Sequence, residues 1–204
     1  RPRAEIVELD ATRTPVARAL RRGIAHHLEA DLWFHRTQVF REGEKRTAAA
    51  LRTTGDTAPR LGLFGHVTWE MCLDGAWLRR TGDVDAALAV LREDVEQLAG
   101  ESGVALREAS GEAGPGAEPS GDVEERLAVL WSRLPDLAAG YADGVGVARR
   151  LDGIRRSLGL PAADDGARVA WSRVLETCIR DAEMAIPALE ADRERTLAAG
   201  PPPG

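Results

Sequence analysis

The sequence predicts an all-α protein folded as a single-domain helical bundle. Apolar residues recur every three or four positions, as in Val16, Leu20, Ile24 and Leu28, the spacing that gathers side chains on one helix face. Turn and capping residues punctuate these runs, beginning with Thr14-Pro15, a hydroxyl N-cap followed by proline at the first helical position. No stretch carries a convincing strand pattern. A chain of 204 residues suits one domain with one sizeable core.

The elements follow in order. Residues 1–13 read as irregular. The first helix starts at Pro15, its inward stripe continues from Leu28 to Asp31 and His35, and Gly43 is expected to break it before a shorter helix from Glu44 to Leu51. Thr53 to Pro59 is turn chemistry that ends in another helix start. The next helix carries Leu63, His66, Val67, Glu70, Leu73, Asp74 and Trp77 on one face, and a further helix runs from about Val84 to Leu98. Residues 107–121 offer nothing apolar to bury and read as a flexible loop within the domain. Asp122 caps a helix bearing Val123, Leu127, Leu130 and Leu134. Tyr141 to Leu158 forms another, with Val147, Leu151, Ile154 and Leu158 inside and Arg149, Arg150, Arg155 and Arg156 on its other face. The last long helix follows Asp164-Asp165, buries Val169, Val174, Leu175, Cys178, Ile179 and Ala182, and should kink or end at Pro187. The tail, 199–204, reads as disordered.

Two stretches carry chemistry. Gly23 to His35 places His27, Asp31 and His35 four residues apart, and Gly65 to Asp74 does the same for His66, Glu70 and Asp74. On a helix, such residues stand one turn above each other on one face. Both ladders interrupt apolar stripes, and imidazole or carboxylate on a core face is costly unless paired or bound to a metal. Two facing ladders therefore suggest a divalent metal site. The mixture of imidazole and carboxylate without thiolate suits Mn²⁺ first, with Fe²⁺ or Zn²⁺ as alternatives. Cys72 and Cys178 read as buried free thiols in a reducing, cytoplasmic setting.

Composition excludes some classes. A net charge of −6 argues against general nucleic-acid binding, and no apolar run approaches the roughly 20 residues that cross a bilayer. The chain opens on Arg1 rather than Met, so a preceding N-terminal segment is expected. No phosphate loop, dinucleotide fingerprint or Ser-His-Asp signal is found.

Gly23, Ile24, His27 and Asp31 match a G-I-x-x-H-x-x-x-D pattern, and Tyr141, Asp143, Gly146, Val147, Ala148, Leu151 and Ile154 follow a second in the expected order. In these residues the sequence resembles the acyl carrier protein phosphodiesterase family, over most of the chain outside residues 100–121. His66 and Glu70 stand where that family has two acidic residues, His35 stands where it usually has Asp, and its Asp-His dipeptide is missing. The resemblance implies a fold similar to HD-type phosphohydrolases, Mn²⁺ dependence and release of 4′-phosphopantetheine from acyl carrier protein.

The expected function is thus metal-dependent phosphodiester hydrolysis. His27, Asp31, His35, His66, Glu70 and Asp74 would hold the metal, Asp31 and Asp74 would also serve catalysis, and Arg36, Arg79, Arg149 and Arg150 would steady a phosphate. Two other readings stand beside it: a zinc phospholipase C-like hydrolase, and a non-catalytic helical protein that binds metal or a partner.

Overall fold

The computed structural model describes residues 15–55, 61–81, 125, 129, 132, 133 and 136–198, and every regular element among them is helical. In chain order these are α1 (Pro15–Phe34), α2 (Gln38–Thr53), α3 (Leu61–Thr81), a 3-10 turn (Gly140–Ala142), α4 (Gly144–Ser157) and α5 (Asp165–Ala198). Among the described residues no helix is long and apolar enough to cross a membrane. Contacts group the chain into two compact units: Arg1–Trp33 with Leu88–Pro135, and Phe34–Ala87 with Asp136–Gly204. Of the first, the largest described part is α1, whose His26, His27, Leu28 and Glu29 are exposed and whose Asp31 and Trp33 are half-buried.

Several expected features lie outside the described residues: the Thr14 cap, the helix from Val84 to Leu98, the loop 107–121, the stripe of Val123, Leu127, Leu130 and Leu134, and the tail. The same holds for the side chains of Val16, Leu20 and Ile24.

The second unit is a helical core built by α2, α3, α4 and α5. Phe40 and Leu51 from α2 meet Phe64, Trp69 and Cys72 from α3, Val147 and Leu151 from α4, and Trp171, Leu175 and Ile179 from α5. Thr37 starts α2: its backbone is extended, and its hydroxyl accepts from Phe40 N–H at 3.1 Å while donating to the Phe34 carbonyl at 2.8 Å. That cap ends α1 at Phe34, nine residues before the break expected at Gly43. Gly43 instead lies inside α2, because a Cβ there would collide with the Trp69 indole. Close packing of two helices outweighs the helix-breaking tendency of glycine, which is only about 1 kcal/mol.

Gly65 on α3 serves the same approach from the other side. A Cβ at this position would sit 2.6 Å from Ala48 Cβ and 2.9 Å from the Glu44 carbonyl oxygen. Gly65→Ala is expected to destabilise the protein by about 1–3 kcal/mol through overpacking, read as a lower urea midpoint. An unchanged midpoint would show that the α2–α3 approach is not tight.

Three further departures have local causes. Arg155 turns inward from the solvated face of α4, its guanidinium 5.5 Å from the Phe64 ring centroid and 5.0 Å from that of Trp171; a delocalised cation is accommodated where aromatic faces replace water. Pro187 does not end α5, which continues to Ala198. Leu63, Trp77, Leu158 and Val169, expected on buried stripes, are exposed. The buried face of α3 is centred on Phe64, Thr68, Trp69, Cys72 and Ala76, so the His66 ladder flanks the core rather than pointing into it.

Asp164 caps α5 by accepting from Ala167 N–H at 2.7 Å, and Asp143 caps α4 by accepting from Gly146 N–H at 2.7 Å. The Tyr141–Gly146 motif is therefore, in its structural part, a turn and a helix start.

Candidate metal centre

His35 follows the last residue of α1, in the turn that Thr37 closes. His35 belongs to the second compact unit. There it meets the second ladder. His35 Nε2 lies 2.8 Å from Glu70 Oε1, and His66 Nε2, one turn earlier on α3, lies 3.4 Å from the same oxygen. One ligand atom from each of His35, His66 and Glu70 falls within 4.8 Å of the others.

The 3.4 Å between His66 and Glu70 is the spacing of two ligands on one cation, and the 2.8 Å between His35 and Glu70 is that of a hydrogen bond. Bonds of roughly 2.0–2.2 Å to a small divalent ion place neighbouring ligand atoms roughly 3–3.5 Å apart. Two imidazoles and one carboxylate form a donor set used for zinc and iron, and three protein ligands leave coordination positions open. Side-chain exposures of 27%, 32% and 35% for His35, His66 and Glu70 keep the group accessible from solvent.

The rings are held from below. Phe40 is buried, and its ring meets His35 edge-on at 4.5 Å and His66 at 5.0 Å between centroids. Phe34 packs edge-on against Phe40 at 4.7 Å, and the two imidazole centroids are 4.7 Å apart. An aromatic floor of this kind limits rotation of both imidazoles at little entropic cost.

Glu44 on α2, absent from the sequence-based ligand set, adds a carboxylate: its Oε2 lies 3.6 Å from His66 Nδ1. Its signal was present. Glu44 interrupts the apolar run of Phe40, Ala48 and Leu51 at four-residue spacing, as Glu70 interrupts that of α3. The expected break at Gly43 hid it, by placing Phe40 and Glu44 on different helices.

Asp74, a turn beyond Glu70, is not part of the converging group. It is exposed by surface area but closely surrounded by protein, and burial, then the Glu70 carboxylate, push its carboxyl up to about 6. Solvent contact screens part of this effect, so the upward direction carries the consequence. Between its ordinary value of 3.8 and about 6 the native state holds more protons than the unfolded chain, so this group makes stability fall as pH rises through that window. Asp74→Asn is expected to raise the urea midpoint at about pH 7, with the gain vanishing below the unperturbed carboxylate value. A gain that persists in acid would rule out this cause.

The arginines separate into two kinds. Arg79 is engaged by protein: Nη2 donates to Glu176 at 2.8 and 2.9 Å, Nη1 to Glu183 at 3.4 Å and Nε to the Ala142 carbonyl at 2.6 Å. Those contacts tie α3 to α5 and to the Ala142 turn. Arg36, Arg149 and Arg150 are exposed. Cys72 and Cys178 are free and buried, and burial first of all pushes both thiols up, which leaves them unreactive.

No family model, no curated protein and no solved structure matches the chain.

Proposed function

We propose that the protein is a divalent-metal-dependent hydrolase whose ion is held by His35, His66 and Glu70, with phosphodiesters as the substrate class. The observation that carries this reading is the convergence of both imidazole Nε2 atoms on one oxygen of Glu70, at 2.8 and 3.4 Å. A bound ion would supply Lewis acidity toward a phosphoryl oxygen and a more acidic water. The chain's own residues present the ligands on two elements, hold both rings against Phe40 and leave one side open to solvent. Glu44, Glu70 and Asp74 make the neighbourhood acidic, so an anionic substrate approaches favourably only when a cation is in place.

The resemblance to acyl carrier protein phosphodiesterases supplies a specific substrate to try, with Mn²⁺ as the first metal. The test measures metal content by mass spectrometry, then turnover of bis-p-nitrophenyl phosphate and of phosphopantetheinylated carrier protein with Mn²⁺, Fe²⁺ or Zn²⁺. Metal-dependent release of nitrophenol that His66→Ala abolishes supports the hydrolase, and release of phosphopantetheine narrows it. Stoichiometric metal without turnover of either substrate would leave a metal-binding protein and overturn the hydrolase. A chain that retains and binds no ion overturns the whole reading.

A further inference from the structure

We infer that Glu44 is a positioning residue that selects the tautomer of His66 in which Nε2 is free to bind an ion; this rests on the metal reading above. A neutral imidazole carries one proton and one lone pair, on opposite nitrogens. For His66 to share an ion with His35 and Glu70, the lone pair must be on Nε2, the nitrogen 3.4 Å from Glu70 Oε1. The proton must then sit on Nδ1. The carboxylate oxygen facing that nitrogen is Glu44 Oε2, at 3.6 Å. This separation is an ion-pair distance, slightly longer than a hydrogen bond, and both side chains are half-buried.

Two features make the assignment more than a neighbouring charge. Glu70 Oε1 is already engaged by His35 at 2.8 Å, so it competes weakly for a proton on His66 Nε2 at the longer distance. Phe40, one turn before Glu44 on α2, meets the His66 ring edge-on at 5.0 Å and 74° and restricts its flipping. Helix α2 supplies none of the three converging ligands, yet it presents to His66 both an edge contact and a proton acceptor, one turn apart. A metal-bound histidine whose second nitrogen donates to a carboxylate is a stronger and better oriented ligand, and loss of such a partner typically lowers metal affinity about 10–100-fold.

The experiment uses the full chain with Zn²⁺ and Mn²⁺ alone as probes, followed by titration calorimetry, and with long-range ¹⁵N correlation of the His66 ring in the metal-free protein. Glu44→Ala is expected to weaken ion binding about 10–100-fold and to shift His66 away from the Nδ1–H tautomer. Glu44→Gln, which keeps a carbonyl acceptor, should restore the tautomer and part of the affinity. Glu42→Ala, which removes an exposed carboxylate of the same helix, should change neither. Wild-type binding that His66→Ala abolishes and Glu44→Ala leaves intact overturns the role of Glu44 while sparing the metal site. An Nε2–H tautomer in the wild type also overturns it, independently of any ion. Failure of the wild type to bind either ion overturns the metal reading itself, and this assignment with it. Circular dichroism of each variant separates these outcomes from unfolding.

Discussion

Glu70→Gln is expected to abolish divalent-ion binding while leaving the protein folded. Glu70 places one carboxylate oxygen near both histidines, at 2.8 Å from His35 and 3.4 Å from His66. Gln keeps the shape and a carbonyl oxygen but removes the negative charge that draws a cation to two imidazoles. The loss should exceed the roughly 10–100-fold carried by outer-shell partners. The cost in stability should be small, about 1 kcal/mol, because the amide can still accept from or donate to His35. Titration calorimetry with Mn²⁺ and Zn²⁺, beside urea unfolding of the metal-free variant, reads both quantities. Affinity within a few-fold of wild type would remove Glu70 from the ligand set.

The largest loss of stability is expected from Trp69→Ala, about 3–5 kcal/mol for a fully buried aromatic side chain. That is a large share of the roughly 5–15 kcal/mol that holds a typical native protein together. Trp69 is 1% exposed and seats its indole against Gly43 of α2, with the Arg46 guanidinium 5.9 Å from the ring centroid. Its Nε1 is buried without a hydrogen-bond partner among the described residues. Trp69→Phe should therefore cost much less, since the smaller ring leaves a cavity but also removes an unpartnered donor. Both variants are read by the urea midpoint. The alanine variant should also weaken ion binding without touching the site, because Trp69 precedes Glu70 and packs against the residue before Glu44. Equal midpoints for the two variants would show that the indole does not fill the α2–α3 interface.

Much of the helical architecture was legible in the spacing of apolar residues. The buried faces of α4 and α5 were expected from Val147, Leu151, Leu175, Cys178, Ile179 and Ala182, and these six are buried. Periodicity was weaker wherever a stripe contained residues at its edge, as with Leu63, Trp77 and Val169, which are exposed. A three-to-four repeat covers a broad arc of the helix and does not say where its centre lies. The centre depends on which neighbours the helix meets.

The sequence by itself determined that the described elements are helices, that α5 starts at Asp164-Asp165, and that His66 and Glu70 share a face one turn apart. These are local properties, set by side-chain spacing and by hydrogen bonds within a few residues. Only the tertiary structure decided which metal-capable residues meet. His35, in the turn that the Thr37 cap closes, meets Glu70, and the glycine approach of α2 to α3 brings Glu44 beside His66. Spacing along one helix states which side chains can point the same way; contact between side chains 35 residues apart, as in His35 and Glu70, depends on how the backbone turns and how closely two helices pack.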